Sequence, residues 1–231
     1  MEFFQKIDLV ITQYLNEFAG KYEEVDLFLN IISRNNLVKG GVFAIAYLFF
    51  WFQNTSKEQQ LLNRKKIIAG FIGCMAAMAT ARALAMLLPL KLRPLHEPGL
   101  NFKLPYSFNS NYLQNQSTFP SDHAGLFFAL SAMLFTIHRK TGIIAFLYTI
   151  AFIIFPRIYL GLHYFSDILA GFIIGITMII LTANHFFRER VGTLVLKFQE
   201  KYTGIFYALF FLFIYQLLDL FEELRSLLRI F

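Results

Sequence analysis

Apolar residues along this chain gather into long runs separated by polar and basic stretches, and the runs predict an all-α integral membrane bundle of six helices. The spans fall at about residues 37–53, 67–90, 121–138, 142–162, 167–187 and 203–221 of a single membrane domain covering residues 1–231. Ahead of them Phe3, Phe4, Ile7, Val10, Ile11, Tyr14, Leu15 and Phe18 recur at helical spacing between Glu2, Lys6, Asp8 and Glu17. That pattern predicts an amphipathic helix lying in the interface or against the bundle. A second short helix is expected from about Glu23 to Ser33, so residues 1–36 read as one or two N-terminal amphipathic interfacial helices. The span at 67–90 is rich in Gly and Ala, which permits close helix approach, and Pro89 disfavours helix at Leu88 and marks the exit. Residues 54–66 and 91–120 read as polar loops, and the tail F-E-E-L-R-S-L-L-R-I-F as amphipathic.

Composition supports the bilayer as solvent. With 57% hydrophobic and 16% charged residues, the chain carries more apolar surface than a soluble core of this size needs. The 29 phenylalanines are spread over every run, as lipid-facing helices would have them. A net charge of +6 is explained by basic loops, so membrane lipids are the expected partners and nucleic acid is not. Cys74 is the lone cysteine, which excludes disulfides within the chain and thiolate metal sites. Residues 1–20 are interrupted by charge and lack a signal-peptide pattern, so insertion is expected to rely on the later runs. Residues 54–66, 139–140 and 188–201 carry four, two and four Lys/Arg on one side of an alternating bundle. The positive-inside rule puts that side in the cytoplasm, and residues 91–121 and 157–167 on the outer, periplasmic or extracellular face.

Three segments with chemistry meet on that outer face: Lys91, Arg93 and Pro94; Pro120 to His123; and Arg157, His163 and Asp167 within F-P-R-I-Y-L-G-L-H-Y-F-S-D. If the last segment is helical, His163 and Asp167 share a face and the carboxylate can hold the imidazole. Two histidines, fixed cations and a helix N-terminus describe an anion site with a nucleophile and a proton donor, and phosphate fits best. Arginines repel a cation, so no metal and no cofactor is expected despite the His–His–Asp set. Arg82 lies inside the second span, where an arginine suggests function. His96 reads as a loop residue, and His138 and His185 as interfacial.

These residues resemble the type 2 phosphatidic acid phosphatase superfamily of integral membrane lipid phosphatases, which shares its site with vanadium haloperoxidases. Its motifs are K-x6-R-P, P-S-G-H and S-R-x5-H-x3-D. The third is matched by Arg157, His163 and Asp167 with Pro156 in place of serine, and the second by Pro120, Ser121, Asp122 and His123 with Asp in place of Gly. In the first, Arg93 and Pro94 are present but Met86 stands where the lysine belongs. The resemblance implies that His163 attacks phosphorus and forms a phosphohistidine, with Asp167 orienting and charge-stabilising its ring. His123 would protonate the leaving oxygen and then activate water. Arg93, Arg157, Ser121 and backbone N–H groups at the start of the third span, Asp122 among them, would bind the phosphate oxygens. Lys91 is favoured as the replacement for the missing lysine, with Arg82 as the alternative. An acid at Asp122 should repel substrate unless it pairs with an arginine or caps the helix. It resembles the branch of bacterial undecaprenyl pyrophosphate phosphatases linked to bacitracin resistance.

The implied activity is metal-independent hydrolysis of a lipid phosphate or pyrophosphate in a bacterial cytoplasmic membrane, with undecaprenyl pyrophosphate first. Phosphatidylglycerol phosphate or phosphatidic acid hydrolysis and lipid phosphotransfer remain open as alternatives. Outside the enzyme class, a lipid-binding or transport protein that has lost catalysis is the rival.

Overall fold

The computed structural model describes residues 2–218, and all of the regular elements among them are helices. In chain order these are α1 (Glu2–Asn16), α2 (Glu23–Arg34), α3 (Val42–Phe52), entered through a π turn at Leu37–Gly41, and α4 (Lys57–Leu87). After a long connection come α5 (Asp122–Ile137), α6 (Arg139–Tyr148), α7 (Phe155–Tyr159), α8 (Phe165–Ala183), α9 (His185–Lys201) and α10 (Thr203–Leu218). The amphipathic tail and the last residues of the expected sixth span lie outside the described residues.

Three helical stretches are long and apolar enough to cross a membrane: Lys57–Leu87, Arg139–Tyr159 and Phe165–Ala183. Leu37–Phe52, Asp122–Ile137 and Thr203–Leu217 are apolar but shorter, so six full-length spans are not what helix length gives. The polar stretch 54–66, expected as a loop, instead supplies the first turns of α4. The Ser56 hydroxyl caps the helix by accepting from the Gln59 N–H, and the Lys, Glu, Gln and Leu that follow are good helix formers. At 31 residues α4 is about 46 Å long, so its basic first turns extend past a bilayer core about 30 Å thick. Between α6 and α7 the helix widens into a π turn at Thr149–Ile154. It lies just where the Pro156 ring would press on the Phe152 carbonyl of a regular α-helix.

Helices α4, α5 and α8 pack on one another at the centre. Small residues make this possible. A methyl built on Gly171 of α8 would stand 2.5 Å from the Ser121 carbonyl and 2.9 Å from the Gly125 N–H, and one on Gly175 would strike the Gly125 carbonyl. Further along the same face of α8, a methyl on Gly73 of α4 would meet Ile179 at 2.9 Å. The backbone at the start of α5 is thereby pressed onto α8. Trp51, Tyr47, Phe43, Phe127, Leu126 and Leu130 fill the adjoining apolar core.

Helix α1 is amphipathic in the reverse sense. Its buried residues are Asp8, Thr12 and Asn16, spaced four apart, while Phe3, Val10 and Tyr14 face outward. The polar stripe packs on α7 and α8. Asn16 exchanges two hydrogen bonds with the Lys103 backbone, at 2.8 and 2.9 Å. The fully buried Asp26 of α2 accepts from the Gly20 and Tyr106 N–H groups and the Tyr159 hydroxyl. The two N-terminal helices thus fasten down the 91–120 connection.

Gly171→Ala is expected to lower stability by about 1–3 kcal/mol through overpacking. Gly204→Ala, with nothing within 4 Å of the added methyl, should be neutral. Thermal midpoints in detergent compare the two.

Candidate active site

The segment from Phe155 to Asp167 is not one helix. α7 ends at Tyr159, and Gly161 at φ +68° reverses the chain, with the Phe102 ring 2.5 Å from where a β-carbon would sit. His163 is therefore in the loop ahead of α8, while Asp167 is the third residue of α8 and its carboxylate accepts from the Tyr164 N–H at 2.7 Å.

This geometry changes how the imidazole is held. Its Nδ1 lies 3.0 Å from the Thr118 carbonyl oxygen and 3.9 Å from Asp167 Oδ2, so the carboxylate is not its direct hydrogen-bond partner. A carbonyl can only accept, so Nδ1 carries the proton and Nε2 keeps its lone pair. Thr118 is the intermediary: its hydroxyl is 3.1 Å from His163 Nδ1 and donates to Asp167 Oδ2 at 2.6 Å. Burial, followed by the neighbouring Arg93 and Arg157 guanidinium groups, pushes the His163 pKa well below the ordinary histidine value. The ring is neutral and oriented, an arrangement suited to nucleophilic attack through Nε2.

Lys91 directs its ammonium at Asp167 Oδ1 (2.8 Å), Ser166 Oγ (3.0 Å) and Asp8 Oδ2 (3.5 Å), over the Tyr164 ring. Asp8 also accepts from the Ser166 N–H and hydroxyl. Lys91 is thus occupied by carboxylates behind His163. Arg82 is likewise engaged, through a 2.6 Å ion pair with Asp122 Oδ2. Met86, at the lysine position of the first motif, is 79% exposed.

His123, the second residue of α5, places Nδ1 2.8 Å from Asp122 Oδ1, which also accepts the His123 N–H. Ser121 is the buried N-cap of α5: its hydroxyl accepts from the Ala124 N–H and its own N–H donates to the Asp167 carbonyl at 3.1 Å. The helix start is thereby tied to the His163 side of the site.

Arg93 and Arg157 are both buried. Arg93 donates to two neutral carbonyls, Leu162 at 2.6 Å and Ser117 at 3.4 Å, and burial holds its pKa below the ordinary arginine value. Arg157 is only 3% exposed, yet its Nε has no hydrogen-bond partner and, among the described residues, no carboxylate pairs with it. It acts electrostatically on both His163 and His123, and Asp122 and Arg93 act on it. His163, His123, Arg93, Arg157, Ser121 and Asp122 therefore form one cluster. Its two Nε2 atoms make no hydrogen bond among the described residues, beside an unneutralised guanidinium. His96 lies outside the cluster, against the Tyr112 carbonyl, and His138 caps α6.

Thr118, Asp8 and Ser166 have no place in the motif reading. Thr118 carried no signal. Asp8 did, as the first member of the Asp8–Thr12–Asn16 stripe in an otherwise apolar helix.

The depressed His163 pKa has a consequence for stability. Below about pH 6.5 the unfolded chain binds a proton at this residue and the folded one does not, so stability falls with falling pH, by up to about 1.4 kcal/mol per pH unit from this group. Between pH 7 and 5 the thermal midpoint of the wild type should drop further than that of His163→Gln, as scanning fluorimetry in detergent would measure.

Known proteins share sequence and fold with this chain. The sequence profile of the PAP2 superfamily matches residues 92–190, which hold Arg93 and both histidines. The chain is 23% identical over 178 residues to the bacitracin transport permease protein BcrC of Bacillus licheniformis, covering 75% of this chain and 77% of that protein. It is 28% identical over 196 residues to the lipid A 1-diphosphate synthase of Escherichia coli K12, covering 78% of each. Among solved structures, a transmembrane PAP2-type phosphatidylglycerolphosphate phosphatase from Bacillus subtilis shares the fold, with a TM-score of 0.51, 17% identity, and 83% of this chain and 89% of that one covered. With its apolar helices and this shared fold, the chain is an integral membrane protein, and its residues 92–190 match the PAP2 superfamily.

Proposed function

We propose that this protein is a metal-independent phosphatase acting on a lipid phosphate or pyrophosphate, with undecaprenyl pyrophosphate as the first substrate. The observation that carries this reading is the Arg157 guanidinium, buried and unpaired between two histidines whose Nε2 atoms are unoccupied. A charge in that position needs an anion, and the histidines need an electrophile.

His163 Nε2 attacks phosphorus in line with the leaving oxygen. The P–N bond forms as the P–O bond breaks, giving a phosphohistidine. His123, as the imidazolium, delivers its Nε2 proton to the leaving oxygen. In the second step neutral His123 takes a proton from water, the hydroxide oxygen attacks phosphorus, and the P–N bond breaks to release phosphate and His163. Arg157, Arg93 and the N–H groups at the start of α5 hold the equatorial oxygens. Asp167, neutralised by Lys91, acts on His163 through Thr118 and stabilises the charged ring of the intermediate.

We read the three long and three shorter apolar helices as alternating across a bacterial cytoplasmic membrane with the basic segments 54–66, 139–140 and 188–201 inside, a topology that leaves this site on the outer face. There a headgroup enters sideways while its tail stays in the bilayer. The relative named for lipid A 1-diphosphate synthesis supports a second reading, in which a lipid phosphate replaces water as acceptor. The structural relative named for phosphatidylglycerolphosphate supports a third substrate.

Phosphate release from undecaprenyl pyrophosphate, phosphatidylglycerol phosphate and phosphatidic acid, side by side in detergent with a chelator present, tests the assignment. The first lipid should turn over fastest, and His163→Ala should abolish turnover. Arg157→Ala should lower kcat/KM by about 10²- to 10³-fold, as removal of a preorganised charge donor does. Dependence on metal, or full activity without His163, would sink the mechanism. Transfer of label to an added lipid phosphate acceptor would favour the synthase reading.

A further inference from the structure

The acid at Asp122, a departure from the PAP2 motifs, stands in an ion pair with Arg82, four residues before the Met86 that occupies the motif's lysine position. We infer that Asp122 is a positioning residue for His123, holding its Nδ1–H so that Nε2 faces the chemistry, and that Arg82 is the fixed counter-charge that lets a carboxylate stand beside a phosphate site. This rests on the proposed phosphatase reading and adds to it a role for a side chain where the motif has a hydrogen atom.

The geometry divides the carboxylate cleanly. Oδ2 takes the Arg82 guanidinium at 2.6 Å, and Oδ1 takes both the backbone N–H and the ring Nδ1 of His123 at 2.8 Å. A carboxylate ion-paired through Oδ2 and accepting a backbone N–H through Oδ1 can only accept, so Nδ1 of His123 is the protonated nitrogen. Nε2 is then the atom that gives and takes the proton in both steps. Glycine at position 122 would leave the ring free to turn and to exchange tautomers.

Asp122 gives His123 the carboxylate partner that His163 reaches only through Thr118. The other charged or titratable groups acting on His123 or on its partner are Arg157 on α7, Lys39 in the turn before α3, Arg82 on α4 and His163 ahead of α8. Asp122 is the single anion among them, so it alone stabilises an imidazolium at His123. Arg82 completes a set of three in which the net charge added to the site by Asp122 is zero. This is the place the arginine fills, four residues before Met86 and one helical turn below it.

Full-length protein in lipid nanodiscs tests the inference with undecaprenyl pyrophosphate as substrate. Asp122→Asn, nearly isosteric, should lower kcat about 10- to 100-fold, the range found for outer partners of a working histidine. KM should stay within about threefold. The alkaline limb of the kcat–pH profile should move to lower pH, because the imidazolium loses its anion. Arg82→Gln should instead raise KM more than it lowers kcat, since an uncompensated carboxylate then faces the phosphate. Wild-type kcat and an unmoved pH limb in Asp122→Asn would overturn the assignment.

A second measurement does not depend on turnover. In ¹⁵N-histidine-labelled protein, the ring assigned through His123→Gln should show its proton on Nδ1, and Asp122→Asn should redistribute it between the two nitrogens. A wild-type ring protonated on Nε2 alone would overturn the inference even in an active enzyme. Absence of phosphate release from every lipid, with the Nδ1–H tautomer present, would defeat the phosphatase reading and leave the Asp122–His123 pairing standing.

Discussion

The rest of the site is built around a charge that the protein buries and does not neutralise. A guanidinium taken from water into the interior costs several kcal/mol unless a counter-charge meets it, and Arg157 is 3% exposed with no carboxylate partner among the described residues. The carboxylates nearby are held by other cations: Asp167 and Asp8 by Lys91, and Asp122 by Arg82. Each such pair removes an anion that would otherwise collapse onto Arg157 or Arg93 and quench the field at the site. Under the proposed function, stability is given up locally so that an incoming anion gains the full interaction.

The fold supplies the rigidity that this requires. Glycines on α8 bring the backbone of the α5 start against it, and the Ser121 N–H to Asp167 carbonyl bond locks the two helix starts together. From Asp167 one chain of contacts runs through Thr118 to His163, and another through Lys91 to Asp8 on α1. Four segments far apart in sequence thus fix one ring, which is why an inverted amphipathic helix at the N-terminus bears on chemistry at residue 163. A loop residue placed between two helices is held as firmly as one inside a helix when its neighbours are tied in this way.

Much of this was legible in the sequence. Long apolar runs announced helices in lipid, and the spacing of Arg157, His163 and Asp167 announced an anion site, because period and charge are local properties. Helix starts were less legible: residues 54–66 are polar enough to read as a loop, yet the Ser56 cap and good helix formers extend α4 through them. The direct His163–Asp167 contact was expected from i, i+4 spacing, and it fails because Gly161 at positive φ takes His163 out of the helix. Thr118 could not be found from sequence, since its role depends on a carbonyl and a hydroxyl brought 45 residues back along the chain to His163. The positions of Lys91 and Arg82 in the chain offered no means of ranking the anions that compete for them. The structure directs both to carboxylates.

The charge balance that results is specific. With Asp167 and Asp8 assigned to Lys91, and Asp122 to Arg82, two guanidinium groups face the histidines without an ion-pair partner among the described residues: Arg157, and Arg93, which donates only to neutral carbonyls. A terminal phosphoryl group carries between about one and a half and two negative charges near neutral pH. The two guanidinium groups match that charge, whereas a phosphodiester, with one, would leave a buried guanidinium uncompensated. Under the proposed function, discrimination between a terminal phosphate and the diesters that make up most of the surrounding bilayer follows from this count. The substitution of Asp at 122 leaves it intact only because Arg82 cancels the added charge. The acid at position 122 therefore adds no net charge to the site, because Arg82 is there to cancel it.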